Sequence, residues 1–62
     1  MSFKEVYEAV FDADGNIKAC GREACKRLII YIRDRFHTTV GNVSTGFITD
    51  VDAIRNLYLI DR

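Results

Sequence analysis

The chain has only 62 residues, and this shortness limits it to one hydrophobic core. A domain of this size buries only about 60% of the surface that its unfolded chain exposes. Such a core seldom supplies more than about 3–5 kcal/mol, and small domains commonly add disulfides, a metal or association with a second copy. We therefore expect residues 1–62 to form a single small domain that gains stability from one of these sources.

Composition predicts a folded, cytoplasmic protein. Hydrophobic residues make up 48% of the chain, which has four phenylalanines, three tyrosines and no proline, whereas disordered chains have low hydrophobicity or high net charge. The apolar run from Leu28 to Ile32 is far shorter than the roughly 20 residues of a membrane-spanning helix. Lys4, Glu5 and Glu8 lie near the N-terminus, where a signal peptide would need an apolar stretch. We expect neither secretion nor a membrane partner.

The first helix is predicted from a capping box and a helical apolar repeat. Ser2 and Glu5 have the spacing at which each side chain satisfies an unpaired amide at a helix start. Apolar residues then follow on one helical face: Phe3, Val6, Tyr7, Val10 and Phe11. Asp12 to Asn16 is rich in residues that favour turns. We therefore predict a helix over about residues 3–12.

A second helix is predicted over residues 22–36. Gly21 can serve as its N-cap, and Glu23 lies in the first turn, where the helix dipole favours a negative charge. Five apolar residues fall within a narrow sector of this helix: Cys25, Leu28, Ile29, Ile32 and Phe36. We expect that sector to face the core.

The segment after the second helix loses the helical repeat. Val40-Gly41-Asn42-Val43 places glycine first in the central pair of a type II′ hairpin turn, so this segment is predicted to be irregular or a short hairpin. Thr49 or Asp50 can cap a third helix over about residues 50–60. Its last four residues, Leu57 to Ile60, are all apolar, and a terminal strand is the alternative there.

These patterns predict an all-α domain of three short amphipathic helices, at about 3–12, 22–36 and 50–60, with the irregular or hairpin segment between the second and third. The three apolar faces should form one shared core. Its expected members are Phe3, Val6, Val10, Leu28, Ile29, Ile32, Phe36, Ile54 and Leu57.

Four further apolar residues exceed what this core needs: Ile30, Tyr31, Leu59 and Ile60. Burying apolar surface contributes about 25 cal/mol per Å², and the two-fold dimer is the commonest oligomer. We therefore expect a non-catalytic, self-associating protein-interaction module, a homodimer that uses these four side chains. The alternative is that they pack onto residues 37–48 of their own chain.

Basic residues on the second helix support an alternative function. Nine basic and nine acidic residues cancel over the whole chain, but residues 18–37 hold six basic residues against two acidic ones. Four side chains follow one stripe of that helix, which we call the basic stripe: Arg22, Lys26, Arg33 and His37. Such a stripe can contact phosphates, so the alternative is an accessory nucleic-acid-binding protein.

Acidic residues around the first turn resemble part of a calcium-binding loop. Asp12, Asp14, Asn16 and Glu23 match positions 1, 3, 5 and 12 of the EF-hand loop. Ile17 stands at position 6, where the sharp bend requires glycine. A structural turn between two helices is therefore the favoured interpretation, and we predict no metal site.

The two cysteines and the single histidine match no catalytic or zinc-binding pattern. Cys20 and Cys25 are separated by four residues, unlike the C-x-x-C spacing of redox and zinc sites. Cys20 lies just before a predicted helix start and close to Arg22, surroundings that stabilise a thiolate, whereas Cys25 is expected in the core. Because the chain has neither a phosphate loop nor a nucleophile motif, we predict no enzyme and no cofactor.

Overall fold

The fold combines three α-helices with a small antiparallel sheet. The computed structural model describes residues 2–19 and 21–61. In these residues the helices are α1 (Phe3–Glu8), α2 (Arg22–Phe36) and α3 (Val51–Asp61), and the strands are β1 (Gly41–Asn42) and β2 (Phe47–Ile48). Three helices are confirmed, but the all-α prediction is correct only in part, because the segment between α2 and α3 forms a two-stranded sheet.

Helix α1 begins as predicted and ends four residues early. The Ser2 hydroxyl accepts a hydrogen bond from the amide of Glu5 at 3.2 Å. Beyond the helix, the carbonyl of Val10 accepts the amide of Lys18 at 2.7 Å, and the amide of Asp12 donates to the carbonyl of Asn16 at 2.8 Å. These loop bonds occupy groups that a longer helix would use, so the prediction that α1 extends to residue 12 is wrong.

Helix α2 has the predicted bounds. Its N-cap is Gly21, which makes no side-chain capping bond. At the other end, His37 adopts a left-handed conformation with φ of 55°, and its amide donates to the carbonyl of Arg33 at 3.0 Å. The left-handed residue redirects the chain into the sheet.

The hairpin forms, but its turn is not where the sequence pattern indicates. Gly41 pairs with Ile48 and Asn42 with Phe47, so residues 43–46 form the turn and Gly46 supplies the positive φ of 78°. Gly41 lies in β1, where an added methyl group would overlap the carbonyl oxygen of Phe47 and lie 2.8 Å from Cδ1 of Ile29. Gly41 is therefore required for close packing.

Helix α3 begins one residue later than predicted and remains helical to Asp61. The carboxylate of Asp50 accepts the amide of Ala53 at 3.1 Å, which confirms Asp50 as a cap. Residues 57–60 lie inside the helix, so the alternative of a terminal strand is wrong.

Seven of the nine expected core residues are buried, whereas Phe36 and Leu57 are only partly enclosed. The core also takes in Tyr7, Phe11 and Val40, the last from the segment that precedes β1. Aromatic rings link its parts, since Phe3 of α1 contacts Tyr31 of α2 and Tyr58 of α3, at centroid distances of 5.4 and 5.5 Å.

Among the described residues, no helix combines the length and the apolar character that crossing a bilayer requires.

Candidate interaction surfaces

Leu59 and Ile60 form an exposed apolar pair on α3, which we call the α3 end. Leu59 is 62% exposed and Ile60 is 82% exposed. Ile54 is fully buried, and the helical repeat of about 3.6 residues places positions 59 and 60 on either side of the face opposite to it. Leu59 also borders an open groove of about 710 Å³ between α3 and the loop that follows α1.

Ile30 and Tyr31 lie on the outer side of α2. We name the stripe of Arg27, Ile30, Tyr31 and Asp34 the α2 outer face. Ile30 is 37% exposed, whereas Tyr31 is half-buried because its ring packs against Phe3. The stripe and Arg35 border a shallow depression of about 520 Å³. Part of the Tyr31 side chain is therefore buried against the core, and the rest is exposed to solvent.

The four residues predicted to bind a partner thus lie on two different helices. Ile30 and Tyr31 border the depression on α2, whereas Leu59 borders the groove beside α3. One ion pair joins the two helices near their C-terminal ends, where Nη2 of Arg35 lies 3.8 Å from Oδ1 of Asp61.

The hairpin lies against the first half of the basic stripe. The guanidinium carbon of Arg22 is 5.9 Å from the ring centre of Phe47, and Lys26 is partly buried, with its Nζ 3.8 Å from Oε1 of Glu23. Arg33 and His37 are exposed further along α2. Lys26 is therefore the partly buried member of the stripe, whereas Arg22, Arg33 and His37 are exposed, and Arg22 also lies beside the hairpin.

The acidic turn uses its first carboxylate to hold the backbone. Oδ1 of Asp12 accepts the amides of Asp14 and Asn16, each at 2.9 Å. Glu23, which would complete a calcium loop, is instead close to Lys26. The described residues contain no group of three or more side chains able to hold a metal ion, and these bonds fit the interpretation of a structural turn.

Of the two cysteines considered in the sequence, Cys25 lies within the described residues and Cys20 does not. Cys25 is partly buried and packs against the core, as the helical pattern predicts. Cys20 lies outside the described residues, so the predicted reactivity of its thiol stays a prediction.

The sequence interpretation misses a third exposed apolar pair, Ile17 and Phe47. Their exposed fractions are 48% and 66%, and both border a small depression of about 240 Å³. The hairpin register explains Phe47, since it lies directly opposite the exposed Asn42. That register depends on the position of the turn, which the sequence pattern places three residues too early.

Arg27 and Asp34 are also absent from the sequence-based site. The signal that could have found them is a pair of opposite charges flanking Ile30 and Tyr31 at helical spacing.

No protein-family model, curated protein or solved structure matches the chain. The chain is therefore classified by its fold alone, as a small, mostly helical domain with a two-stranded sheet.

Proposed function

We propose that this chain is a self-associating protein-interaction module whose partner is a second copy of itself. The observation that supports this most is the exposure of the α3 end, where two neighbouring large apolar side chains remain outside the finished core. A single exposed apolar side chain is ordinary on a protein surface. Contiguous exposed apolar surface is more typical of an interaction site, and Ile30 and Tyr31 add further apolar surface on α2.

The segment between α2 and α3 leaves the α3 end uncovered, which argues against the alternative of shelter within the chain. Val40 is fully buried, and Val43 and Ile48 pack against the core. These residues use their apolar surface in the interior. A second molecule could then bury the α3 end, and the added burial would stabilise a chain of only 62 residues considerably.

The test is the molecular mass in solution, measured by light scattering and sedimentation over a wide range of protein concentrations. We expect a mass of twice 7.1 kDa at high concentration and dissociation on dilution. The melting temperature should rise with concentration, because association stabilises only the folded state. A mass of one chain and a constant melting temperature up to millimolar concentration would contradict the proposal.

A double variant tests whether these apolar side chains mediate association. Ile30→Lys combined with Ile60→Lys places one lysine on each surface and does not presume which surface is central. We expect its dissociation constant to rise by at least about tenfold, because burying one such side chain is worth about 1.5–3 kcal/mol.

The matched control for this double variant is Ile17→Lys combined with Phe47→Lys. It makes the same chemical change at two other exposed apolar positions, and we expect its dissociation constant to stay within about twofold of the original. If the control variant dissociates the dimer and the first double variant does not, the chain self-associates through the surface of Ile17 and Phe47. That result would contradict the proposed role of the surfaces that carry Ile30 and Ile60.

Nucleic-acid binding through the basic stripe is the alternative proposal, and the fold offers it less support. The hairpin lies beside Arg22 and Lys26. Lys26 is partly buried there, so the exposed members of the basic stripe are Arg22, Arg33 and His37. Phosphate binding weakens steeply with salt. Titration of a labelled oligonucleotide between low and moderate salt separates the two functions, and a strongly salt-dependent affinity that Arg33→Ala reduces would favour this alternative.

A further inference from the structure

The side chains of the α2 outer face follow an order that would be complementary to the same face of a second helix running in the opposite direction. Arg27, Ile30, Tyr31 and Asp34 occupy positions i, i+3, i+4 and i+7, which place them on one side of a helix. Read along α2, the order is cation, apolar, apolar, anion. Read backwards, it is anion, apolar, apolar, cation.

The two charges of this stripe have no partner within the described part of the chain. The ion pairs formed there are Lys26 with Glu23, Arg35 with Asp61 and Arg55 with Asp52. Arg27 and Asp34 are both exposed. They are seven positions apart, about 10.5 Å along the helix axis, which is too far for them to pair with each other.

We propose that two copies of this chain associate by packing their α2 helices antiparallel, about a two-fold axis that passes between Ile30 and Tyr31. This inference rests on the proposed function and names the surface at its centre. In a two-fold interface, if residue i of one copy contacts residue j of the other, then j also contacts i. Antiparallel packing about this axis therefore sets each Arg27 opposite Asp34 of the second copy and brings the two apolar pairs together.

Parallel packing of the same faces would set Arg27 against Arg27 and Asp34 against Asp34. Like charges placed opposite each other oppose association strongly, so the charges select the antiparallel arrangement. Salt-screened pairs at an interface rim set orientation more than they add affinity. In this arrangement the apolar pair supplies the contact and the charges supply the register.

The α3 end offers no comparable charge pattern. Besides Arg55, which is four positions before Leu59 and borders the same groove, the charged side chain described on this side of α3 is Asp52. Its carboxylate already lies 3.7 Å from Nη1 of Arg55. Because this anion and this cation are already paired within one chain, an antiparallel pair of α3 helices gains no complementary contact from them. The α2 outer face is therefore the better centre for a two-fold interface.

Tyr31 is suited to this position because its ring is already fixed. It packs against Phe3, with ring centroids 5.4 Å apart and planes inclined by 32°. A side chain that is held before binding loses little conformational entropy when a partner arrives. Ile30 beside it is 37% exposed and can enter the shallow depression of the second copy.

Charge reversal tests the arrangement directly. Arg27→Asp makes both sides of each predicted pair negative, and Asp34→Arg makes both sides positive. At low salt, we expect each single variant to raise the dimer dissociation constant by at least about tenfold. An equimolar mixture of the two variants should pair with each other, since every side chain at position 27 then faces an opposite charge at position 34. The double variant, with the two charges exchanged, should also dimerise.

The mixture is measured by native mass spectrometry with one variant isotopically labelled, after circular dichroism has shown that each variant is helical. Arg33→Asp is the matched control, because it makes the same charge change on another side of α2, and its dimer should be unaffected. If the wild-type chain dimerises, both charge-reversal variants dimerise equally well and the mixture pairs at random, this inference is overturned and the proposed function stands. A wild-type chain that is monomeric at every concentration would overturn both.

Discussion

Tyr58 of α3 stacks on Tyr7 of α1, with ring centroids 3.8 Å apart and ring planes within 4° of parallel. Tyr7 also stacks on Phe11, at 4.7 Å, so one column of rings joins α3 to α1 and to the turn that follows it. Helix α1 has only six residues, and isolated helices of that length are not stable in water. Its helical state therefore depends on contacts such as this one.

We predict that Tyr7 and Tyr58 are energetically coupled. In a double-mutant cycle with Tyr7→Leu and Tyr58→Leu, the coupling free energy should be about 0.5–1.5 kcal/mol, the range of aromatic pairs beyond simple burial. Urea unfolding of the four proteins at one concentration measures it. A cycle of Tyr7→Leu with Phe47→Leu should give a coupling close to zero, since Phe47 makes no contact with this column of rings. Equal coupling in the two cycles would contradict the prediction.

Gly41→Ala should destabilise the protein by about 1–3 kcal/mol, the usual cost of overpacking. The added methyl group would meet backbone atoms of β2, which cannot move without separating the strands. Chemical denaturation measures the loss. Gly21→Ala is the control, because a methyl group there would meet no atom within 4 Å. Because Gly21 is the N-cap of α2 and alanine caps less well than glycine, this control should lose about 0.5–1 kcal/mol, less than Gly41→Ala. Similar losses in the two variants would argue against close packing at Gly41.

Arg55 fastens the acidic turn to α3. Its Nε donates a hydrogen bond of 2.8 Å to the carbonyl of Gly15, which lies 40 residues earlier in the chain. Arg55→Met keeps much of the side-chain volume and removes the donor, so stability should fall by about 1 kcal/mol, a figure reduced for the partial exposure of this bond. Amide hydrogen exchange should accelerate in residues 12–18.

The control for the Arg55 prediction is Asp52→Asn. It removes the ion pair of 3.7 Å between Asp52 and Arg55 but keeps the hydrogen bond to Gly15. Because exposed ion pairs contribute little, both stability and exchange in residues 12–18 should be nearly unchanged. A larger loss from Asp52→Asn than from Arg55→Met would show that charge, not the hydrogen bond, holds the turn.

The helices could be predicted where local sequence decides the structure. The apolar repeat of α2 runs over four turns, and its bounds follow directly from it. Helix α1 ends early because Val10 and Asp12 bond to residues eight and four positions later, and periodicity carries no information on such competition. The turn of the hairpin is misplaced for a similar reason, since Gly41 is set by contacts with Ile29 and β2.

The candidate site shows the same division. The exposure of Leu59 and Ile60 follows from counting helical positions from Ile54. That Leu59 borders a different surface from Ile30 depends on how α2 and α3 are placed in space, which no repeat in the sequence specifies.

His37→Gly should stabilise the protein by about 1 kcal/mol or somewhat less. His37 has φ of 55° and ψ of 36°, a left-handed conformation that costs a residue with a side chain about 1–2 kcal/mol. Glycine avoids this cost but loses about 0.5–1 kcal/mol through its greater freedom in the unfolded chain. Thr39→Gly, at an exposed position without a positive φ, should show only the loss. If thermal and urea unfolding find both variants equally destabilised, the C-terminus of α2 does not end in the left-handed conformation.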